Sequence, residues 1–202
     1  IEKGKPFAPD ARMKKILAEA AAVADATGRA LGYRTRDKDA FFFEDRQWKR
    51  PFIGSYKFEK QPGVPNLDAA VMFFFLATGV TPAMDTQVVG QGSTYPWTAV
   101  DAERQPLDGG KTYRLRLPPN IPVKDFWSVI VYDTQTRSML QTDQRFPTVG
   151  SQSKRLQVNA DGSVDVYFGP QAPAGKEGNW VQTIPGKAWF TILRLYGPLE
   201  PW

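Results

Sequence analysis

Two residue types are missing altogether from these 202 residues, cysteine and histidine. Without cysteine there are no disulfides, thiolate nucleophiles, iron–sulfur clusters or Cys-type zinc sites. Without histidine there are no serine–histidine relays, His-ligated metals or imidazole acid–base steps. Any catalysis must come from carboxylates, Tyr, Lys, Arg or backbone groups. No metal site and no cofactor are expected. Long apolar runs are lacking as well. The longest, Ala69–Leu76, is far short of the ~20 residues that span a bilayer, so no transmembrane segment is expected. No signal peptide opens the chain. It starts at Ile1 and ends at Trp202 inside an apolar, proline-punctuated phrase, and reads as an interior piece of a longer polypeptide.

Charge is present but uneven. The formal net charge is +5. Residues 1–60 hold 14 Lys/Arg against 9 Asp/Glu, while residues 61–202 hold 12 of each, so the whole excess lies in the first third. The bases there alternate with acids, as in Arg34-Thr-Arg-Asp-Lys-Asp39. A nucleic-acid surface would gather its bases in a patch with interleaved aromatics. No nucleic-acid partner is expected.

Apolar residues at Met13, Ile16, Leu17, Ala20, Val23, Ala24 and Leu31 follow one face of a helix from Asp10 to about Leu31. Asp10 suits its start and Gly32 its stop. Such a stripe predicts burial against a larger body. A second helix is expected from Leu67 to about Thr78, with Asn66 as N-cap and Gly79 just past the end. Its middle is apolar on every side, which predicts burial all round. The aromatic, charged stretch Phe41–Phe58 reads as irregular with one or two extended pieces.

From Gly90 the pattern changes to short β-type runs between Gly, Pro, Asn and Asp. Trp97–Asp101 and Lys111–Leu117 read as a hairpin around Asp108-Gly-Gly110. Leu156–Val158 and Val164–Phe168 read as another around Asn159-Ala-Asp-Gly162. Phe126–Asp133 and Trp189–Tyr196 complete the set. The expected fold is α+β, with an N-terminal helical segment (1–89) beside an antiparallel, jelly-roll-like β-sandwich (90–202).

The β half offers candidate ligand contacts. Asp133-Thr-Gln-Thr-Arg137 and Gln141-Thr-Asp143-Gln-Arg145 place acids and arginines in a polar loop after an apolar strand. Loops on a rigid scaffold commonly carry function, and an Arg fork can grip a carboxylate or phosphate. The alternative is a network of surface ion pairs. Tyr95, Trp97 and Trp180 sit beside loops, where aromatics can stack on sugars or rings; the alternative for them is core packing. Asn159-Ala-Asp161 faintly echoes a calcium loop but lacks its later Glu, so a turn is the expected role.

Several phrases together resemble a known family. They include Leu107-Asp-Gly-Gly-Lys-Thr-Tyr113, Leu117-Pro-Pro-Asn-Ile-Pro122, Phe126-Trp-Ser128, Asn159-Ala-Asp-Gly-Ser-Val164, Tyr167-Phe-Gly-Pro170 and Gly197-Pro-Leu-Glu-Pro201. The chain is similar to the bacterial domain-of-unknown-function family 1214, over about Gly90 to Trp202. The resemblance implies a β-sandwich with helices beside it. It also implies a missing N-terminal domain of family 1254 as partner, and an exported, periplasmic or otherwise extracytoplasmic protein. It implies no catalytic residues. Many relatives carry an Asn-Arg-Tyr-like phrase where this chain has Thr136-Arg137-Ser138.

The expected function is thus a binding or structural domain of a longer protein, taking a sugar or an acidic small molecule. The rivals are a carbohydrate-active hydrolase or lyase using carboxylate, Arg and Tyr groups, and a homo-oligomer assembly module whose first helix docks a neighbouring subunit.

Overall fold

A computed structural model describes residues 3–200, so the expected ends at Ile1 and at Pro201-Trp202 lie outside the described residues. Helix α1 spans Ala11–Arg34. A short hairpin, β1 (Glu59–Gln61) and β2 (Val64–Pro65), leads into α2 (Leu67–Leu76) and the single turn α3 (Pro82–Asp85). The strands that follow are β3 (Ser93–Thr94), β4 (Trp97–Thr98), β5 (Tyr113–Leu117), β6 (Val123–Asp133), β7 (Thr148–Gly150), β8 (Val164–Gly169), β9 (Trp180–Gln182) and β10 (Trp189–Pro198). The fold is mixed helix and antiparallel sheet, with one parallel pair, β8 with β9.

The two long strands organise the rest. β6 and β10 pair antiparallel from Trp189↔Asp133 to Pro198↔Val123, with β7 on the far side of β6 and β3 and β4 on the far side of β10. Alternation along the strands sends Trp127, Val129 and Val131 to the same face as Trp189, Leu193 and Leu195. That face shares one core with Leu117, Val164, Val166, Phe168 and Val181 of the second sheet, β5-β8-β9. The opposite face presents Tyr132, Phe190 and Ile192, which pack with Ala40, Ile53, Phe58, Met72 and Phe73. The larger sheet therefore lies between the smaller sheet and the helical layer, and the helical and β segments share this second cluster.

Local expectations hold at both helix starts. Asp10 Oδ1 accepts from the Met13 amide at 2.7 Å, and Asn66 Oδ1 from the Ala69 amide at 3.2 Å. Four other readings need correction. Gly32 does not stop α1; it lies inside the helix, and Gly28 and Gly32 instead let α1 approach α2. A Cβ on Gly28 would lie 2.8 Å from Phe75 Cδ2. The stripe on α1 is not buried, because every residue from Ala11 to Thr27 is exposed. Nor is α2 buried all round. Ala69, Met72 and Phe73 face inward, while Leu67, Val71 and Phe74, on the other side, are exposed. Neither expected hairpin forms: β4 pairs with β10, and β5 pairs with β8. The Asp108–Gly110 turn docks on the Ile184–Lys187 loop, where a Cβ on Gly109 would meet Ile184 O at 2.1 Å. It carries the chain from one sheet to the other. Asn159–Gly162 does turn, but residues 156–158 form no strand.

Candidate functional site

Lys49 is the least expected feature of this interior. Its backbone pairs with Trp97 on one side, N–H to O at 2.8 Å and O from N–H at 3.0 Å, and with Phe41 on the other. This locks the residue between the helical layer and β4, and the residue is 1% exposed. Its Nζ donates to Gly32 O at 2.8 Å and lies 3.4 Å from Tyr33 O. Both are end carbonyls of α1, which lack partners within the helix and carry its negative dipole end. The Nζ also sits 3.9 Å from the centre of the Trp97 ring, a cation–π contact in a desolvated place. Burial draws its pKa down from 10.5 to about 7.

Above Lys49 opens a cleft of about 1250 Å³. Its walls come from the end of α1, the 38–55 stretch, α3 and the turn at Arg104. Arg34, Arg36, Lys38, Arg46, Arg50 and Arg104 line it with Lys49, against three carboxylates, Asp39, Glu44 and Asp85. Among the described residues only Arg46 of these cations is ion-paired, to the exposed Asp45 at 3.7 Å. Phenyl rings orient two of the guanidinium groups. Arg46 Cζ lies 4.9 Å from the Phe43 ring centre and Arg50 Cζ 4.8 Å from that of Phe42. Arg50 Nη2 donates to Phe41 O at 3.1 Å, and its buried Nε has no partner among the described residues. A guanidinium stacked by its face keeps its N–H edge directed, which suits two-pronged binding of carboxylate or phosphate. Asp85 lines the same cleft; burial pushes its carboxyl up, against a hydrogen bond from the Tyr56 amide at 3.0 Å.

The sequence pattern of a family described as "Protein of unknown function (DUF1214)" matches residues 92–200. The chain belongs to the DUF1214 family. No curated protein matches it. Among solved structures it is similar to the VPA0106 protein from Vibrio parahaemolyticus, at 22% identity over 96% of this chain and 42% of that one, with a TM-score of 0.50. It also matches an uncharacterised protein from Burkholderia cenocepacia, at 16% identity over 96% of this chain and 40% of that one, with a TM-score of 0.41. The chain spans less than half the length of either protein.

The DUF1214 match takes in β3 to β10, and thus Val100 and Arg104 of the cleft and the Trp97 ring beneath Lys49. The other cleft residues, Lys49 included, precede it. None of the eight residues singled out from sequence lines the cleft. Trp97 comes nearest, as the buried ring under Lys49. Tyr95 lies on the face of the larger sheet that also carries Phe190 and Ile192, where its ring and that of Tyr196 flank Arg194 at 5.4 and 5.1 Å. Asp133 and Arg137 meet in one tight turn. Asp133 Oδ1 accepts from the Gln135 and Thr136 amides, and its Oδ2 from Lys187 Nζ at 2.6 Å. Burial opposes the Asp133 charge, yet the Lys187 ammonium and those amides outweigh it and hold its carboxyl below the usual range. Arg137, at φ 61°, donates to Gln135 O and lies over the Phe75 ring at 4.6 Å. Asp143 and Trp180 are neighbours through Gln182 and Gln144. Trp180 Nε1 also donates to Gly169 O at 2.9 Å. Gln141 and Arg145 are exposed, Arg145 over the Phe146 ring. Asp161 accepts from Ser163 and from Arg116 at 2.6 Å, as a turn residue.

Sequence reasoning missed Lys49, Arg46 and Arg50. The available signal was the interleaving of Phe41-Phe-Phe with Arg46-Gln-Trp-Lys-Arg50 in the part of the chain that carries the charge excess.

Proposed function

We propose that this chain is the ligand-binding part of a longer, exported bacterial protein, and that the cleft over Lys49 takes an acidic small molecule with a ring-bearing or apolar body. The observation that carries this reading is the set of cleft cations without carboxylate partners, one of them, Arg50, lying over a phenyl ring. Unpaired charge at a concave, half-aromatic surface is compensated when an anion binds. The greater length of the VPA0106 protein supports a longer parent protein. Export rests on the resemblance of the β segments to proteins that carry export signals. The two sheets are read as a sandwich, with a boundary to the helical segment near residue 90.

Calorimetric titration with phenylphosphate, citrate and glucose tests the reading. Saturable binding of phenylphosphate, weakened by salt and lost in Arg50→Gln and Arg46→Gln, is the expected result. Equal binding by those variants would refute it. A second reading, hydrolase or lyase, is favoured by Asp85, whose raised carboxyl would stay protonated longer in a cleft rich in arginine. Turnover of an aryl glycoside that disappears in Asp85→Asn would support it.

A further inference from the structure

The larger sheet turns one face toward the helical layer, and that layer covers only part of it. Ile192 of β10 lies between Trp97 of β4 and Ile130 of β6 and packs in the cluster shared with the helices. Toward the other end of the same face two further rows run across the strands. In one, Tyr196 sits between Ser93 and Phe126. In the next, Arg194 sits opposite Ser128, and Tyr95, which follows β3, lies on its other side. These six residues are half-buried and belong to neither core cluster. The Tyr196 ring stacks on Phe126 with 4.2 Å between centres and meets the Tyr95 ring edge-on at 6.2 Å. The guanidinium carbon of Arg194 lies 5.4 and 5.1 Å from the centres of the two phenol rings.

Among the described residues Arg194 has no carboxylate partner. Burial opposes its charge, and what outweighs burial is a set of phenols, those of Tyr95, Tyr196 and Tyr132. Burial also opposes ionisation of Tyr95, but the Ser93 and Tyr196 hydroxyls and the guanidinium outweigh it and hold this phenol below its usual range. Tyr196 and Tyr132 go the other way, pushed up chiefly by burial. The two rows thus gather a guanidinium and the hydroxyls of Ser93, Tyr95, Ser128 and Tyr196, all able to donate, with no carboxylate of the described chain among them. We propose that they form a second binding site, which takes the carboxylate of a small ligand with an aromatic or apolar body. Arg194 grips the carboxylate, the Tyr95 hydroxyl donates to it, and the Phe126–Tyr196 stack carries the body. A planar monoanion suits a single guanidinium fork. A phosphate dianion would leave one charge over on a half-buried surface that offers only neutral donors beyond Arg194. The site is on another part of the fold from the cleft and is independent of what the cleft binds.

Benzoate is the probe and phenylphosphate the comparison. The whole chain, isotope-labelled at the tyrosine Cζ carbons, gives NMR signals that report each phenol separately, and Tyr95→Phe identifies the Tyr95 signal by its loss. Benzoate should shift the Tyr95 and Tyr196 signals saturably, with affinity in the millimolar range. It should also move the Tyr95 titration to higher pH, because a bound carboxylate opposes the phenolate. The groups that face Tyr95 without ligand are Ser93, Arg194, Tyr196 and Tyr132, so a purely structural cluster would titrate the same with and without benzoate. Arg194→Gln should weaken benzoate at least about tenfold. Tyr95→Phe, which keeps the ring and its packing, should weaken it about fivefold when read at Tyr196, and it stands as the test if Arg194→Gln does not fold. Arg50→Gln, on the cleft, should leave the benzoate shift at Tyr95 in place, so failure of the cleft reading and failure of this one are told apart. Tyr95 and Tyr196 signals that ignore benzoate, a shift that persists undiminished in folded Arg194→Gln or in Tyr95→Phe, or tighter binding of phenylphosphate than of benzoate at these signals would each overturn the proposal.

Discussion

Lys49→Met should flatten the stability of this protein against pH across a defined window. The native ammonium is buried, and desolvation draws its pKa from 10.5 to about 7. Unfolded, the lysine regains its ordinary value near 10.4. Between these limits the unfolded chain binds the extra proton, so stability rises with pH through the window. Below about pH 7 both states are protonated and the full cost of burying the charge is felt. At about 1.4 kcal/mol per pH unit the whole window is worth at most about 5 kcal/mol. The hydrogen bond to Gly32 O and the Trp97 face favour the cation and trim that figure. Tyr33, whose backbone carbonyl lies beside the ammonium, is pushed by burial up to about 12 and titrates above this window. Methionine keeps the stem volume and the apolar fill but leaves Gly32 O without its donor, a penalty of about 1–3 kcal/mol that does not vary with pH. Urea unfolding at half-unit steps from pH 6.5 to 10 gives the stability of each protein. The wild-type value minus the Lys49→Met value should climb with pH by a few kcal/mol. A flat difference would refute the reasoning, since the carbonyls and the indole would then hold the ammonium as well as water does.

Three further outcomes follow from the packing. Phe73→Ala removes a buried ring packed at a tilt against Phe52 and Phe58, at 4.8 and 5.5 Å between centres, and should cost about 3–5 kcal/mol in denaturant unfolding. Gly28→Val drives a branched side chain into Phe75, 2.8 Å away at its Cβ, and should cost about 1–3 kcal/mol by the same measurement; an unchanged midpoint would mean that α1 is not seated on α2. Asp133→Ala leaves Lys187 and two loop amides unpaired and should cost about 1–3 kcal/mol. Because the Asp133 carboxyl is held below its usual range, its contribution is present above about pH 4 and fades as acid protonates it, so the variant and wild type should converge on acid titration.

The sequence by itself determined the parts of this protein that are local. Period-2 runs of Trp, Val, Ile and Leu placed β6, β8 and β10, and side-chain caps at Asp10 and Asn66 placed the starts of α1 and α2. These signals survive because alternation and capping depend on neighbours within a few residues. Strand partners were not legible. An Asp-Gly turn looks the same whether it closes a hairpin or carries the chain to another sheet, and only the approach of the Ile184 backbone to Gly109 decides which. Whether the stripe on α1 is covered was likewise a question of what lies beside it, not of its spacing. The candidate site was the least legible of all. In Gln47-Trp-Lys-Arg50 nothing distinguishes a buried lysine from a solvated one. Its burial comes from the carbonyls of Gly32 and Tyr33 and from the ring of Trp97, brought together by tertiary packing from distant parts of the chain. A lysine's ionisation is set by the dielectric and dipoles around it, and these exist only once the helix end, the 41–50 stretch and β4 have come together.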